Sequence, residues 1–257
     1  MQAGLVSVTF RSLTWRQTLE LARQAGLTAI EWGGDIHVPH GDLTRARQVG
    51  EATCQAGLRV AAYGSYYRLG QDHPAFCDVL ATARALGAPA IRVWAGACPS
   101  DQCSEAQWAA LIEDARRITH EALAAGITVV FEYHRNTLTD TADACGRLLG
   151  AVPGAMSYWQ PPVDMPADAC LLGLRRLDRR LAGVHTFSWQ GVDRLPLRAR
   201  EHDWLRFLAQ AQRQGAPWAL LEFVQDDSPV QLLEDARTLR RWLAQLDPST
   251  PNPSEWR

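Results

Sequence analysis

Seven times along this chain, apolar residues at helical spacing run into a glycine and then into a short apolar stretch. The instances are "ARQAGLTAIEW", "TCQAGLRVAAY", "ARALGAPAIRV", "ALAAGITVVFE", "LLGAVPGAMSYW", "RRLAGVHTF" and "QRQGAPWALLEF". Glycine just past a helix takes the left-handed conformation without steric cost, so each instance reads as a helix stop followed by a strand. The opening "GLVSVTF" brings the expected strands to eight. Thr14 to Gln17, Ser104 to Gln107 and Ser228 to Gln231 fit the S/T-x-x-Q capping box, and Pro229 takes a first helical position. Strands and helices alternating over 257 residues predict parallel βα units in an α/β fold, most economically a closed (β/α)8 TIM barrel. A doubly wound open sheet is the rival, but no glycine-rich dinucleotide fingerprint follows "GLVSVTF". The barrel is expected to fill residues 1–246 as one domain. The polar, proline-rich "DPSTPNPSEWR" over 247–257 reads as a frayed, disordered tail.

Charge and composition narrow the chemistry. A net charge of −2 offers no general field for a phosphate backbone, so nucleic acid is not an expected partner. No apolar run is long enough to span a membrane and no signal-peptide core is visible, which makes a cytoplasmic protein the expectation. The six cysteines form no C-x-x-C pair and read as reduced, mostly buried thiols. All 26 basic residues are arginine, and a chain without lysine cannot form a Schiff base or use a Walker-type phosphate lysine.

Side chains at the C-terminal strand ends of such a barrel converge on one mouth. Four later strands finish on a group able to bind metal: Glu132 in "VVFEYH", Gln160 in "MSYWQPP", His185 in "GVHTFSW" and Glu222 in "WALLEFV". Each alone has an ordinary reading: a carboxylate paired with arginine, a core histidine, a polar strand end. Together they form a mixed oxygen and nitrogen set suited to Mn²⁺, Mg²⁺, Co²⁺ or Zn²⁺.

The order of those four groups resembles the xylose isomerase-like barrel superfamily, the sugar phosphate isomerases and epimerases. "AIEWGGDIHVPHGD", "AYGSYYRLG", "IRVWAG" and "LLEFVQDDS" extend the resemblance over nearly the whole chain. It implies Glu132, Gln160, His185 and Glu222 as metal ligands, Mn²⁺ foremost, with Glu132 and Glu222 also carrying protons. It also makes a homo-oligomer plausible. The sequence departs from the epimerases at Gln160, where they have an aspartate, and at Val163, where they place a substrate-binding histidine.

The expected activity is isomerisation or epimerisation of a small keto-sugar or polyol-derived substrate by proton transfer through a metal-stabilised enediolate. The alternatives are a metal-dependent dehydratase or lyase on a related hydroxy-keto substrate, and a non-catalytic sugar-binding barrel. A three-metal apurinic endonuclease on the same scaffold is disfavoured by the absence of a histidine in "VWAG" and at Val163. Substrate contacts are expected from His134, Trp159, Trp189, Tyr66, Glu31 and His37. Asp226 and Asp227 argue against a phosphorylated substrate, with Arg194 as the opposing charge. Glu132, at the end of a strand as apolar as "ITVVFEYH", is expected to be neutralised by a metal cation rather than by an arginine.

Overall fold

The computed structural model describes residues 1–71 and 74–246. Eight parallel strands close into a barrel: β1 (Gln2–Val6), β2 (Ala29–Gly33), β3 (Arg59–Arg68), β4 (Ala90–Trp94), β5 (Thr128–Glu132), β6 (Met156–Trp159), β7 (Leu181–Thr186) and β10 (Trp218–Leu221). A short antiparallel hairpin, β8 (Ser188–Gln190) and β9 (Asp193–Leu195), stands between β7 and the seventh helix. Around the barrel lie α1 (Trp15–Gln24), α2 (Leu43–Gln55), α3 (Phe76–Leu86), α4 (Glu105–Ala124), α5 (Ala142–Ala151), α6 (Ala167–Arg176), α7 (Glu201–Arg213) and α8 (Pro229–Leu246). The tail expected over 247–257 lies outside the described residues.

The local signals work as expected at most junctions. Gly26, Gly57, Gly87, Gly126, Gly154 and Gly215 all take positive φ where a helix gives way to a strand. Gly183 is the exception. It lies inside β7 without a positive φ, and the turn after α6 is made by Asp178 at φ 45°. A side chain at Gly183 would meet Tyr158 Cε1 at 2.7 Å, so this glycine makes room inside the barrel rather than stopping a helix. The capping boxes at Thr14 and Ser104 are complete. At Ser228 only half forms: Gln231 N–H donates to Ser228 Oγ, but the Gln231 side chain donates to Asp235 instead.

Strand periodicity sorts the side chains into two layers. Ile91, Val93, Val129, Phe131, Ala219 and Leu221 face the helices and join the large outer core. Ala29, Val130, Tyr158, Ala182 and Leu220 fill the barrel interior. The same period sends Glu31, Arg92, Glu132 and Glu222 inward, one step nearer the mouth. Small residues give that layer its room: a side chain at Gly64 would come within 2.7 Å of Arg92 Nη2 and 2.8 Å of Glu31 Oε1.

The cysteines are all free, but only Cys145 and Cys170 are buried; Cys54 and Cys77 are exposed and the other two intermediate. The expectation of mostly buried thiols is corrected. Among the described residues no helix is long and apolar enough to cross a membrane.

Candidate active site

Glu31, Glu132, His185 and Glu222 meet inside the mouth of the barrel, all at most 5% exposed. Arg92 lies among them. Its Nε donates to Glu31 Oε1 at 2.6 Å, and its Nη1 donates to Glu132 Oε2, which also accepts the indole N–H of Trp94. This corrects the expectation for Glu132: an arginine does neutralise it, from the neighbouring strand β4. The sequence signal was there, since an arginine in the middle of "AIRVW" shares the inward face with Trp94 two residues on.

His185 is pinned by its neighbours. Tyr158 stacks on the ring at 4.9 Å between centroids, and Nε2 lies 3.4 Å from Glu31 Oε2. The other ring nitrogen, Nδ1, is buried without a hydrogen bond. It faces Glu222 Oε2 at 3.5 Å and Glu132 Oε1 at 4.0 Å. Gln160 closes the circle, donating from Nε2 to Glu132 Oε1 at 3.3 Å and to the Tyr133 carbonyl at 3.0 Å. Glu132 thus stands beside both Gln160 and His185, and His185 beside Glu222, with Gln160 turning its amide nitrogen toward Glu132.

The carboxylates differ in their electrostatics. Burial opposes the charge on Glu31, yet Arg92 and His185 outweigh it and draw its pKa down to about 2. Glu132 is likewise lowered against its burial, chiefly by Arg92 and then by His185. Glu222 has no arginine partner, and its side chain accepts no hydrogen bond among the described residues. Burial first, then the charges of Glu132 and Glu31 opposing the pull of His185, pushes it up to about 7. Burial works against a charged His185, but Glu222, Glu31 and Glu132 raise its pKa.

The donor set fits a divalent cation. Three carboxyl groups stand against one guanidinium and one imidazole, so the cluster is acidic in excess. An orphaned imidazole nitrogen faces two of those carboxylates. A ligating histidine usually gives its other N–H to a carboxylate, and Glu31 stands in that place for His185. No three His, Cys, Asp or Glu form a closed cage among the described residues. The physical reason is that Arg92 and Trp94 draw Glu132 aside, leaving its nearer oxygen 4.0 Å from Nδ1. Adjacent donors on one ion at about 2.1 Å stand roughly 3–3.5 Å apart, a spacing that His185 Nδ1 and Glu222 Oε2 already have at 3.5 Å.

The expected substrate groups divide. His134 stacks on Trp94 at 5.1 Å and borders a cavity of about 450 Å³ over the ends of β5, β6 and β7. Trp189, from the β8–β9 hairpin, and Phe223 wall the same cavity, and Gln160 connects it to the carboxylate cluster. Tyr66 takes φ 56°, which sets its ring against Trp94 and its hydroxyl 2.6 Å from the Arg11 guanidinium. Phe223, beside Glu222, also has a positive φ of 51°. Backbone strain at both rims of a mouth is the pattern of a functional site.

Two groups are placed elsewhere, and a third lies in the cluster but is already engaged. Trp159, next to the inward Tyr158, necessarily points outward and packs on Phe207 of α7 at 5.2 Å. His37 is buried against Ser7 Oγ at 2.9 Å and the Leu13 carbonyl at 3.1 Å, where it secures the loop after β2. Glu31 is wholly buried and engaged by Arg92 and His185 rather than open to a substrate. Sequence reasoning missed Arg92 and Trp94 as partners of Glu132. Arg194, the opposing charge near Asp226 and Asp227, is paired with Asp227.

Comparison with known proteins agrees with the barrel fold. No curated protein sequence matches the chain. Among solved structures, the probable 3-DHS dehydratase AsbF of Bacillus anthracis, involved in petrobactin synthesis, superposes with a TM-score of 0.79 at 18% identity, covering 93% of this chain and 99% of that one. An L-ribulose 3-epimerase gives 0.72 at 15% identity over 98% and 99% of the two chains. A xylose isomerase-like TIM barrel protein from Mycobacterium smegmatis, in complex with magnesium, gives 0.71 at 14% identity over 90% and 89%. The family model described as "Xylose isomerase-like TIM barrel" matches residues 19–245. The chain belongs to that family.

Proposed function

We propose that this protein is a divalent-cation-dependent isomerase or epimerase acting on a small polyhydroxylated keto substrate, with Mn²⁺ the first choice of ion. The observation that carries the reading is the buried, unpartnered Nδ1 of His185 facing Glu132 and Glu222. Glu132, Gln160, His185 and Glu222 would hold the ion. A bound divalent cation supplies Lewis acidity, polarising a carbonyl so that the neighbouring C–H becomes acidic.

The protein's own groups supply the rest. Glu222 accepts no hydrogen bond among the described residues, and it exchanges a proton with one face of the reacting carbons, as base or acid according to the substrate. Glu132, held by Arg92, Trp94 and Gln160, supplies the second carboxylate, on the other side of the reacting carbons. Return of the proton to the same carbon from the opposite face gives epimerisation, and return to the neighbouring carbon gives isomerisation. His134, bonded through Nδ1 to the Arg135 carbonyl at 2.7 Å, donates there when neutral and presents Nε2 to accept a substrate hydroxyl. Trp189 and Tyr66 wall the mouth.

The test is a screen of ketoses and hydroxy-keto acids with added Mn²⁺ in deuterated water. Solvent deuterium bound to carbon, lost in Glu222→Gln, is the expected result. Turnover without exchange, or exchange unaffected by that substitution, would overturn the assignment. A new ultraviolet chromophore would mark elimination of water in place of isomerisation.

A further inference from the structure

The arginines at the mouth are not equivalent. Arg92 is consumed by Glu31 and Glu132. Arg11 is held by Asp35 and the Tyr66 hydroxyl, and Arg194 by Asp227. Arg135 is exposed, and its side chain makes no hydrogen bond among the described residues. Arg68 differs from all of these. Its guanidinium lies 3.6 Å over the Trp94 ring, and Nη1 donates to the Gly96 carbonyl at 3.3 Å. Strand pairing of Arg68 with Trp94 fixes the base of the side chain. Among the described residues no carboxylate stands within ion-pair distance of it. Among the described residues Arg68 is thus a cation held in place without an ion-pair partner, with the charge of Glu132 acting on it only from a distance.

Its position gives that charge a use. The Trp94 indole on which Arg68 stacks donates its N–H to Glu132, so the guanidinium sits one indole away from the carboxylate cluster. His134 stacks on the same indole. A guanidinium has five N–H donors in a planar fork, and only one of them is used within the protein. That fork matches a carboxylate by two parallel hydrogen bonds. Among the described residues Arg68 is the one of these mouth arginines both immobilised and without an ion pair.

Resting on the proposed proton-transfer reaction, we infer that the substrate is a keto acid rather than a neutral sugar: its carboxylate is bound by Arg68 beside Trp94 while its hydroxylated carbonyl end reaches the cluster at Glu132 and Glu222. Arg68 is then the residue that sets specificity for the acid, and its loss weakens binding of acids without weakening binding of neutral polyols.

The experiment measures binding, so it does not depend on finding the natural substrate. Threonate and threitol share a four-carbon hydroxylated skeleton and differ in the carboxylate; erythritol 4-phosphate adds a phosphorylated arm. Each is titrated calorimetrically into Mn²⁺-supplemented wild-type protein, Arg68→Met and Arg68→Lys. Wild-type protein is expected to bind threonate at least tenfold tighter than threitol. Arg68→Met should bring the two within about twofold, and Arg68→Lys should retain part of the preference, which separates lost charge from lost packing. A threonate preference unchanged in Arg68→Met overturns the inference, and so does a larger Arg68-dependent preference for the phosphate. Failure here alongside deuterium exchange on neutral ketoses would leave the reaction standing and remove only the acid. An Arg68-dependent acid preference without exchange on any substrate would do the reverse.

Discussion

Glu31 and Glu222 enter the same barrel mouth from strand ends, are buried to the same degree, and are held in opposite ways. Glu31 lies between Arg92 and His185, and its charge is secured, with a pKa near 2. Glu222 has no arginine in contact, and the pull of His185 and of the more distant Arg92 does not offset its burial and the neighbouring carboxylates, which push its pKa up to about 7. Burying a lone carboxylate is costly, and a fold tolerates it where something else will supply the charge. The contrast divides the mouth in two. The side formed by β2, β4 and Glu132 of β5 is a finished ion-pair structure, and the side formed by β7 and β10 is the one on which the proposed cation and substrate sites depend.

The most forceful way to break this contrast is to remove the cation of the finished side. Arg92→Met leaves Glu31 and Glu132 buried without their partner, and denaturant unfolding should show a loss of about 3–5 kcal/mol. Glu222→Gln, made on the open side, should not destabilise chelator-treated protein in the same assay.

A pH series sharpens the comparison. The folded-state pKa of Glu222, about 7, lies above its ordinary 4.5. The native protein therefore holds an extra proton between those values, and stability falls as pH rises through that window. The loss in chelator-treated protein should be on the order of 3 kcal/mol, and should be absent in Glu222→Gln. Glu31, lowered rather than raised, contributes stability that is retained throughout this window and is lost only at more acidic pH.

Smaller effects separate positioning from charge. Glu31→Gln removes the carboxylate beside His185 Nε2, and Mn²⁺ affinity should fall roughly 10- to 100-fold by calorimetry. Trp94→Phe keeps a ring in place but withdraws one N–H from Glu132, and should cost about 1.5 kcal/mol in the unfolding assay.

The sequence made the barrel legible because its signals are local. Glycine past a helix and apolar alternation along a strand depend only on neighbours in the chain, and they located the strands. Gly183 misled because it serves a contact with Tyr158 from another strand, which no local pattern reports. The placing of Glu132, His185 and Glu222 beside one another was expected from the family order of strand-end residues. The partners of those residues were not. Arg92 reaches Glu132 on the adjacent strand and Glu31 two strands away, and such pairings form only once the strands are assembled side by side. Trp159 shows a further cost of reading strand ends without their parity: one residue along, the side chain leaves the mouth for the helix layer.

The central claim is that the open side of the mouth gathers its donors around one ion. Titration of Mn²⁺ into the chelator-treated protein, followed by the loss of the free-ion electron paramagnetic resonance signal, tests it directly. The account predicts one site per chain, abolished by His185→Ala and retained in Arg68→Met. A protein that binds no Mn²⁺, or binds it equally well without His185, would contradict the account.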